Sequence, residues 1–254
     1  MVNYEDLLKS IGRNSSTDPD NLCAQFISGV KADDIRENVI IVPWWEPDTF
    51  DNLGDFDIIS TRSPFIVWNS DNLTYIKTGI GAPLIMDVIL TLGVTNCKRI
   101  LFVGSAGALT GEMNIGDLVI PDYSICGNGA CHYLGVTFGD KVYPCPSFSG
   151  KLKEVTASIT NYHTAVNYSI DTIFAEFYHL DNIISLGCTT IEMETAAAFA
   201  AAKVCGISIS ALFAISDNTV ANKSLISGRS ADDMEYYRHV RRFVYPKIIK
   251  EVLK

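Results

Sequence analysis

The chain has no apolar run of bilayer-spanning length. Its hydrophobic stretches are broken by Gly, Asp or Glu well short of the roughly 20 residues a transmembrane helix needs. It also lacks a cationic excess: Lys and Arg number 20 against 29 Asp and Glu, and the formal net charge is −9. That balance argues against a nucleic-acid backbone as partner, but leaves room for a small anion held by a few local donors. Paired cysteine spacing is absent too. Seven cysteines, an odd number, are scattered along the chain, which points to free thiols in a reducing, cytoplasmic setting. Cys126, Cys131, His132 and Cys145 lie near one another, yet C-x4-C-H matches no common zinc-ligand spacing, so no metal is expected. There is no repeat period or low-complexity tract. The opening MVNYEDLLKS is acidic and amphipathic, without the apolar core of a signal peptide.

What is present is an ordinary globular balance. The 254 residues are 48% hydrophobic and 19% charged. ENVIIVP (37–43), RILFVG (99–104) and ISISALFAISD (207–217) are apolar runs of strand length, as expected for strands buried on both faces. FDIISTRSPFIVWN, LTYIKTG and GDLVIPDYSIC add further strands between turn signals. Helical spacing covers 3–11, 82–94 and 151–162. TIEMETAAAFAAAKVCG turns from strand into helix and stops at Gly206. The segment 230–253 closes the chain as a helix, with Ser230 as cap and Pro246 as a kink. Strands and helices alternate, so the expectation is one α/β domain, 1–254, with a mixed, largely parallel central sheet and helices on both faces. No linker divides it.

Three carboxylates stand out because their surroundings are apolar. Glu192 and Glu194 flank Met193 at the mouth of the alanine-rich helix, and Asp217 ends a buried strand; charges are almost never buried without a partner. A carboxylate accepts two hydrogen bonds from a vicinal diol. Glu194, in a first helical turn, is expected to be held ionised by the helix dipole. Asp217, partly buried, is expected to have a raised pKa and to give up a proton near neutrality. VGSAGAL adds small residues at a strand end, where Gly104, Ala106 and Gly107 let backbone approach a ligand and Ser105 exposes a hydroxyl. Taken singly, each has an ordinary reading: a helix cap, an Asx turn, a tight strand-to-loop turn.

Together these segments resemble the nucleoside phosphorylase and nucleosidase superfamily, of the purine phosphorylase, uridine phosphorylase and methylthioadenosine nucleosidase type. KTGIGAP (77–83) and VPWWEPDTF (42–50) are also similar, the latter where such enzymes carry their first phosphate-contacting loop. The resemblance implies a site at one sheet edge and a homo-oligomer, dimer or hexamer, whose sites are built partly by a neighbouring subunit. It implies nucleotide salvage, a nucleoside substrate and no cofactor beyond inorganic phosphate as a possible co-substrate. It places Glu194 on the ribose 2′ and 3′ hydroxyls, Met193 beneath the sugar, Glu192 in the same wall and Tyr168 near the aromatic that packs on base or sugar. Asp217 matches the acid that protonates a departing purine at N7, and Arg229 an arginine that approaches that acid.

Departures from the family pattern concern the nucleophile. Related phosphorylases carry an arginine where this chain has Phe102. They also carry a G-D-P-x-R loop, where this chain has Trp45 and Thr49. Arg62 is the plausible survivor, and its counterpart reaches the neighbouring subunit's site. The lost arginines favour water, with Glu46 or Asp48 as its base; family size favours phosphate and a ribose 1-phosphate product. Both acceptors stand open, with the lean to water. The remaining alternative is a nucleoside-binding homologue without turnover.

Overall fold

Side chains alternate across the long strands, and this alternation sets the architecture. The structure is a computed structural model that describes residues 2–27, 29–61 and 64–254. In β1 (Asn38–Val42) and β5 (Arg99–Ala108), Ile41 and Phe102 face one core, while Ile40, Leu101 and Val103 face another. β10 (Ser208–Asn218) does the same with Phe213 and Leu212. A strand buried on both faces needs apolar residues at every position, which is why these segments read as continuous runs.

The remaining strands are β2 (Asp57–Ser60), β3 (Ile66–Asn69), β4 (Leu73–Lys77), β6 (Leu118–Gly127), β7 (Lys141–Val142), β8 (His163–Ile170) and β9 (Thr190–Glu192). They form a sheet of order β10-β6-β8-β9-β5-β1-β4-β3-β2, with β7 on β6. β10 also pairs with β5, so β5, β10, β6, β8 and β9 close into a ring. The central ladders β5–β10, β6–β8, β1–β4 and β1–β5 are parallel; the hairpin-like pairings among β2, β3 and β4 are antiparallel.

Helices cover both faces. α1 (Tyr4–Gly12), α2 (Pro19–Phe26), α3 (Ala82–Leu92) and α6 (Thr195–Cys205) lie on one side. The alanines of α6, Ala196–Ala198 and Ala200–Ala202, are all buried, and small side chains let this helix approach α3 and the sheet closely. The other core is covered by α4 (Pro146–Ile159), α7 (Ala231–His239) and α8 (Tyr245–Val252). α5 (Ile173–Ser185) follows β8 over a third, smaller cluster that includes Ile170 and Ile191.

Several expectations are adjusted. The strand expected to end at residue 104 continues to Ala108, so SAGA is strand rather than loop. The helix expected at 151–162 begins at Pro146, whose missing N–H suits a first turn. Elements without a sequence expectation include α2, β7, β8 and α5. The closing helix is interrupted by a π-helical turn, Val240–Val244, two residues ahead of Pro246 in the first turn of α8. Ser230 caps α7 in a capping box with Asp233, as expected. Among the described residues no helix is long and apolar enough to cross a membrane.

The C-terminal helix is tied to the central strand by a buried bond. Tyr245, fully buried, donates its hydroxyl to the Gly104 carbonyl at 2.8 Å. Tyr245→Phe removes that bond and is expected to cost about 0.5–1.5 kcal/mol. A urea unfolding curve checks it, and an unchanged midpoint would contradict it.

Candidate active site

β1 leaves β5 at Phe102, and β9 joins β5 only at Gly107. Between those points β5 has β10 along one edge and no strand along the other. A cavity of about 420 Å³ opens there, at the carboxyl ends of β5 and β10. This is the edge where open α/β sheets bind ligands. Ser105, Glu194, Asp217, Arg229 and Arg241 line it, with apolar walls from Trp45, Ile170, Ile173, Ile191 and Met193.

Asp217 reaches the cavity through a bulge. Ile215 pairs with Ala106 and Asp217 with Gly107, leaving Ser216 as an extra residue in β10. Such bulges re-aim side chains. Ser216 then donates its hydroxyl to Asp217 Oδ1 at 2.7 Å. Arg229 donates from Nη1 to the Ser216 carbonyl at 2.9 Å. Burial raises the Asp217 pKa, opposed by the Ser216 hydroxyl and the Arg229 charge. Gly107 makes room: a Cβ there would lie 3.4 Å from Asp217 Oδ2 and 3.3 Å from Ile191 Cγ2.

Glu192 and Glu194 divide their labour. Glu192 Oε1 accepts from Asn167 Nδ2 at 2.7 Å and Ser169 Oγ at 2.5 Å. Its Oε2 accepts from the backbone N–H groups of Glu194 and Thr195 at 2.7 and 2.8 Å. Glu192 thus lines the cavity wall, as expected, with its carboxylate oxygens held by four protein donors. Glu194, 5% exposed, accepts from the Gly81 N–H at 2.6 Å. Gly81 has φ 114°, a conformation that suits glycine at the entry to α3. Burial, with the Glu192 charge beside it, pushes Glu194 up to about 8, against the pull of the Gly81 and Met193 N–H groups. The expectation that the helix dipole keeps Glu194 ionised is therefore overturned: desolvation outweighs the dipole.

Other sequence candidates fall as follows. Gly104, Ser105, Ala106, Gly107 and Met193 line the cavity, and Phe102 forms part of its wall, edge-on to Phe213 with centroids 5.2 Å apart. Asn128 steadies Met193 by donating to its carbonyl at 3.2 Å. Tyr168 is not brought to the cavity. It packs in the third cluster with one edge against Gly127, and Ile170, two residues nearer the strand end, lines the wall instead. Glu46 is likewise a correction: it is exposed and accepts from Lys77 Nζ at 2.8 Å, while Trp44 and Trp45 face the cavity. Asp48 is exposed in a short 3-10 turn. Arg62 lies outside the described residues. Among the described residues no group of three or more His, Cys, Asp or Glu side chains converges on a metal position, and Cys126, Cys131 and Cys145 are free thiols.

Several lining residues had no sequence expectation, among them Glu176 on α5, Tyr237 on α7 and Arg241 in the π-helical turn. Glu176 is 7% exposed, and burial together with the Asp217 charge raises it to about 7. It accepts from the Thr219 hydroxyl at 3.4 Å. The signal for Glu176 was a lone acid in an otherwise apolar, aromatic segment. Arg241 gave none, because a π-turn has no sequence pattern.

Glu194 makes the stability of the protein sensitive to pH. Its ordinary value is 4.5 and its folded value about 8, so the native chain keeps a proton that the unfolded chain has lost. The stability it contributes is fully present below pH 4.5 and is lost as pH rises to about 8. Glu194→Gln keeps the acceptor for Gly81 and removes the titration. It is expected to raise Tm relative to wild type at pH 8 and to lose that advantage at pH 5. Parallel melting curves across this range would contradict the assignment.

The comparisons with known proteins agree with this geometry. The family model described as "Phosphorylase superfamily" matches residues 60–242. A guanosine phosphorylase from Halorubrum lacusprofundi is 26% identical over 219 residues, covering 80% of this chain and 87% of that protein. The solved AMP nucleosidase of Bacteroides thetaiotaomicron superposes with a TM-score of 0.70 at 16% identity, over 92% of this chain and 94% of that one. Purine nucleoside phosphorylase from Toxoplasma gondii, in complex with immucillin-H, gives 0.73 at 16% identity, over 89% and 93%. The two solved structures share the fold, and the family model covers most of the sequence: the chain belongs to the phosphorylase superfamily and is an enzyme of that family.

Proposed function

We propose that this enzyme cleaves the N-glycosidic bond of a purine nucleoside, with Asp217 protonating the leaving base. The observation that carries this reading is the bulge-presented Asp217. Its carboxyl is buried, its pKa is raised, and it faces a cavity that also holds the diol-sized acceptor Glu194. Breaking the C1′–N9 bond leaves a cationic sugar and an anionic purine. A proton delivered to N7 neutralises the purine, and acid catalysis of this kind is worth about 10²–10⁴ in rate. The sugar rests on Met193 and gives its two hydroxyls to Glu194, which fixes the ring while C1′ moves toward its acceptor. A protein that only bound nucleosides would have no use for the proton donor.

Glu176 narrows the base. Its carboxylate borders the same cavity as Asp217, with a single long contact to Thr219. A guanine edge offers N1–H and the 2-amino group side by side, two donors for one carboxylate, whereas adenine offers an acceptor at N1. The guanosine phosphorylase among the relatives is in keeping with a 6-oxopurine.

Two variants test this reading. Asp217→Asn is expected to lower kcat for guanosine by about 10²–10⁴ and to leave Kd nearly unchanged; undiminished turnover would remove Asp217 from the mechanism. Glu176→Gln is expected to weaken guanosine about tenfold or more, with a smaller effect on adenosine. Equal losses for both nucleosides would contradict the base assignment.

A further inference from the structure

The arginines missing from the first loop and from β5 have a counterpart at the other end of the chain. Arg241 lies in the π-helical turn Val240–Val244, and π-turns of this sort occur often at functional sites. Its guanidinium is held by aromatic faces, 5.2 Å from the Trp45 ring and 5.9 Å from the Tyr237 ring. Its Nε is buried without a hydrogen-bond partner, and among the described residues no carboxylate pairs with it. The side chain lines the cavity, as do Ser105 and Tyr237.

Cation–π contacts orient a guanidinium, but they do not use its N–H donors. Removing a charged donor from water without an acceptor is costly. A planar fork of donors held in this way matches a phosphate group. The carboxylates of Glu176, Glu194 and Asp217 also border the cavity, so an anion entering it needs a compensating cation. Arg229 is engaged with the Ser216 carbonyl and the Asp217 charge, which leaves Arg241 for that task.

We propose that Arg241, with Ser105 and Tyr237, forms the site for a phosphate group in this cavity. The group is inorganic phosphate attacking C1′ or, on the same donors, the 5′-phosphate of a nucleotide substrate. The first source rests on the nucleoside-cleavage reading. In it a phosphate oxygen bonds to C1′ as the C1′–N9 bond breaks, and the bonding pair leaves with the base. N7 takes the proton of Asp217, and the proton of hydrogen phosphate, passed through solvent, restores the acid. The products are pentose 1-phosphate and free base. This assignment reverses the lean to water drawn from Phe102, Trp45 and Thr49, because the cation comes from a distant part of the same chain.

The test compares wild type with Arg241→Met. Arg241→Gln serves as a second variant, and melting curves show that each is folded. Calorimetric titration with inorganic phosphate alone reads binding without turnover. Wild type is expected to bind saturably, and loss of the guanidinium to weaken phosphate about ten- to a hundredfold. KM for phosphate should rise by a similar factor while KM for guanosine stays within about twofold of wild type. If the group is a 5′-phosphate, wild type instead prefers guanosine 5′-monophosphate to guanosine, and Arg241→Met erases that preference alone. Arg241-dependent phosphate binding without base release from any nucleoside would uphold this site and defeat the cleavage reading. A folded variant with unchanged affinity for both phosphate and the nucleotide would overturn the proposal, as would a wild type that binds neither.

Discussion

Four donors converge on the buried carboxylate of Glu192, and the site depends on that convergence. Two come from side chains of β8, Asn167 and Ser169; two are the first N–H groups of the turn into α6. One charge thus joins a strand, the short strand β9 and the helix that follows. Ser169 also accepts from the Ala196 N–H at 2.9 Å, which extends the network into the first turn of α6. The backbone between Glu192 and Thr195 has little freedom left, so Met193 and Glu194 point into the cavity. A buried charge is tolerable only when fully paired, and this pairing is intramolecular and complete. Glu194 lacks such completeness: it has the Gly81 N–H and room for a ligand.

The electrostatics of the cavity follow from this division. Glu194 and Glu176 are pushed toward their neutral forms by burial and by neighbouring charge, and the Asp217 pKa is raised. A ligand that brings hydroxyl or N–H donors relieves the first two, and one that brings a basic nitrogen accepts the proton of the third. A purine nucleoside carries all of these groups. Arg229 and Arg241 add positive charge to the cavity wall, so a chain with net charge −9 presents local cations beside its buried carboxylates.

Much of the fold was legible because its strands are buried on both faces. The apolar runs around Ile40, Leu101 and Leu212 have no other stable use, and Gly206 and Ser230 mark helix ends by known cap chemistry. Asp217 and Glu194 were legible as charges in apolar surroundings. The rest was hidden for physical reasons. α5 exposes Phe174 and Tyr178, so its aromatic composition masks a helical pattern and with it Glu176. The reach of Arg241 depends on a π-turn, on the neighbouring Tyr237 ring and on the Trp45 ring far away in sequence. Glu46 was a plausible base until its ion pair with Lys77 appeared, since pairing across strands leaves no mark in the local sequence. Tyr168 was displaced by two residues, an offset that decides whether a side chain on β8 reaches the rim.

The central claim is that a purine nucleoside lies with its diol on Glu194 and its N7 on Asp217. A crystal structure of the Asp217→Asn variant with guanosine bound tests it most directly, because the slowed variant retains intact substrate. Both ribose hydroxyls are expected within about 3.2 Å of the side chain at position 194, and N7 within the same distance of that at position 217. A nucleoside bound with its sugar away from Glu194, or with its base turned from position 217, would contradict it.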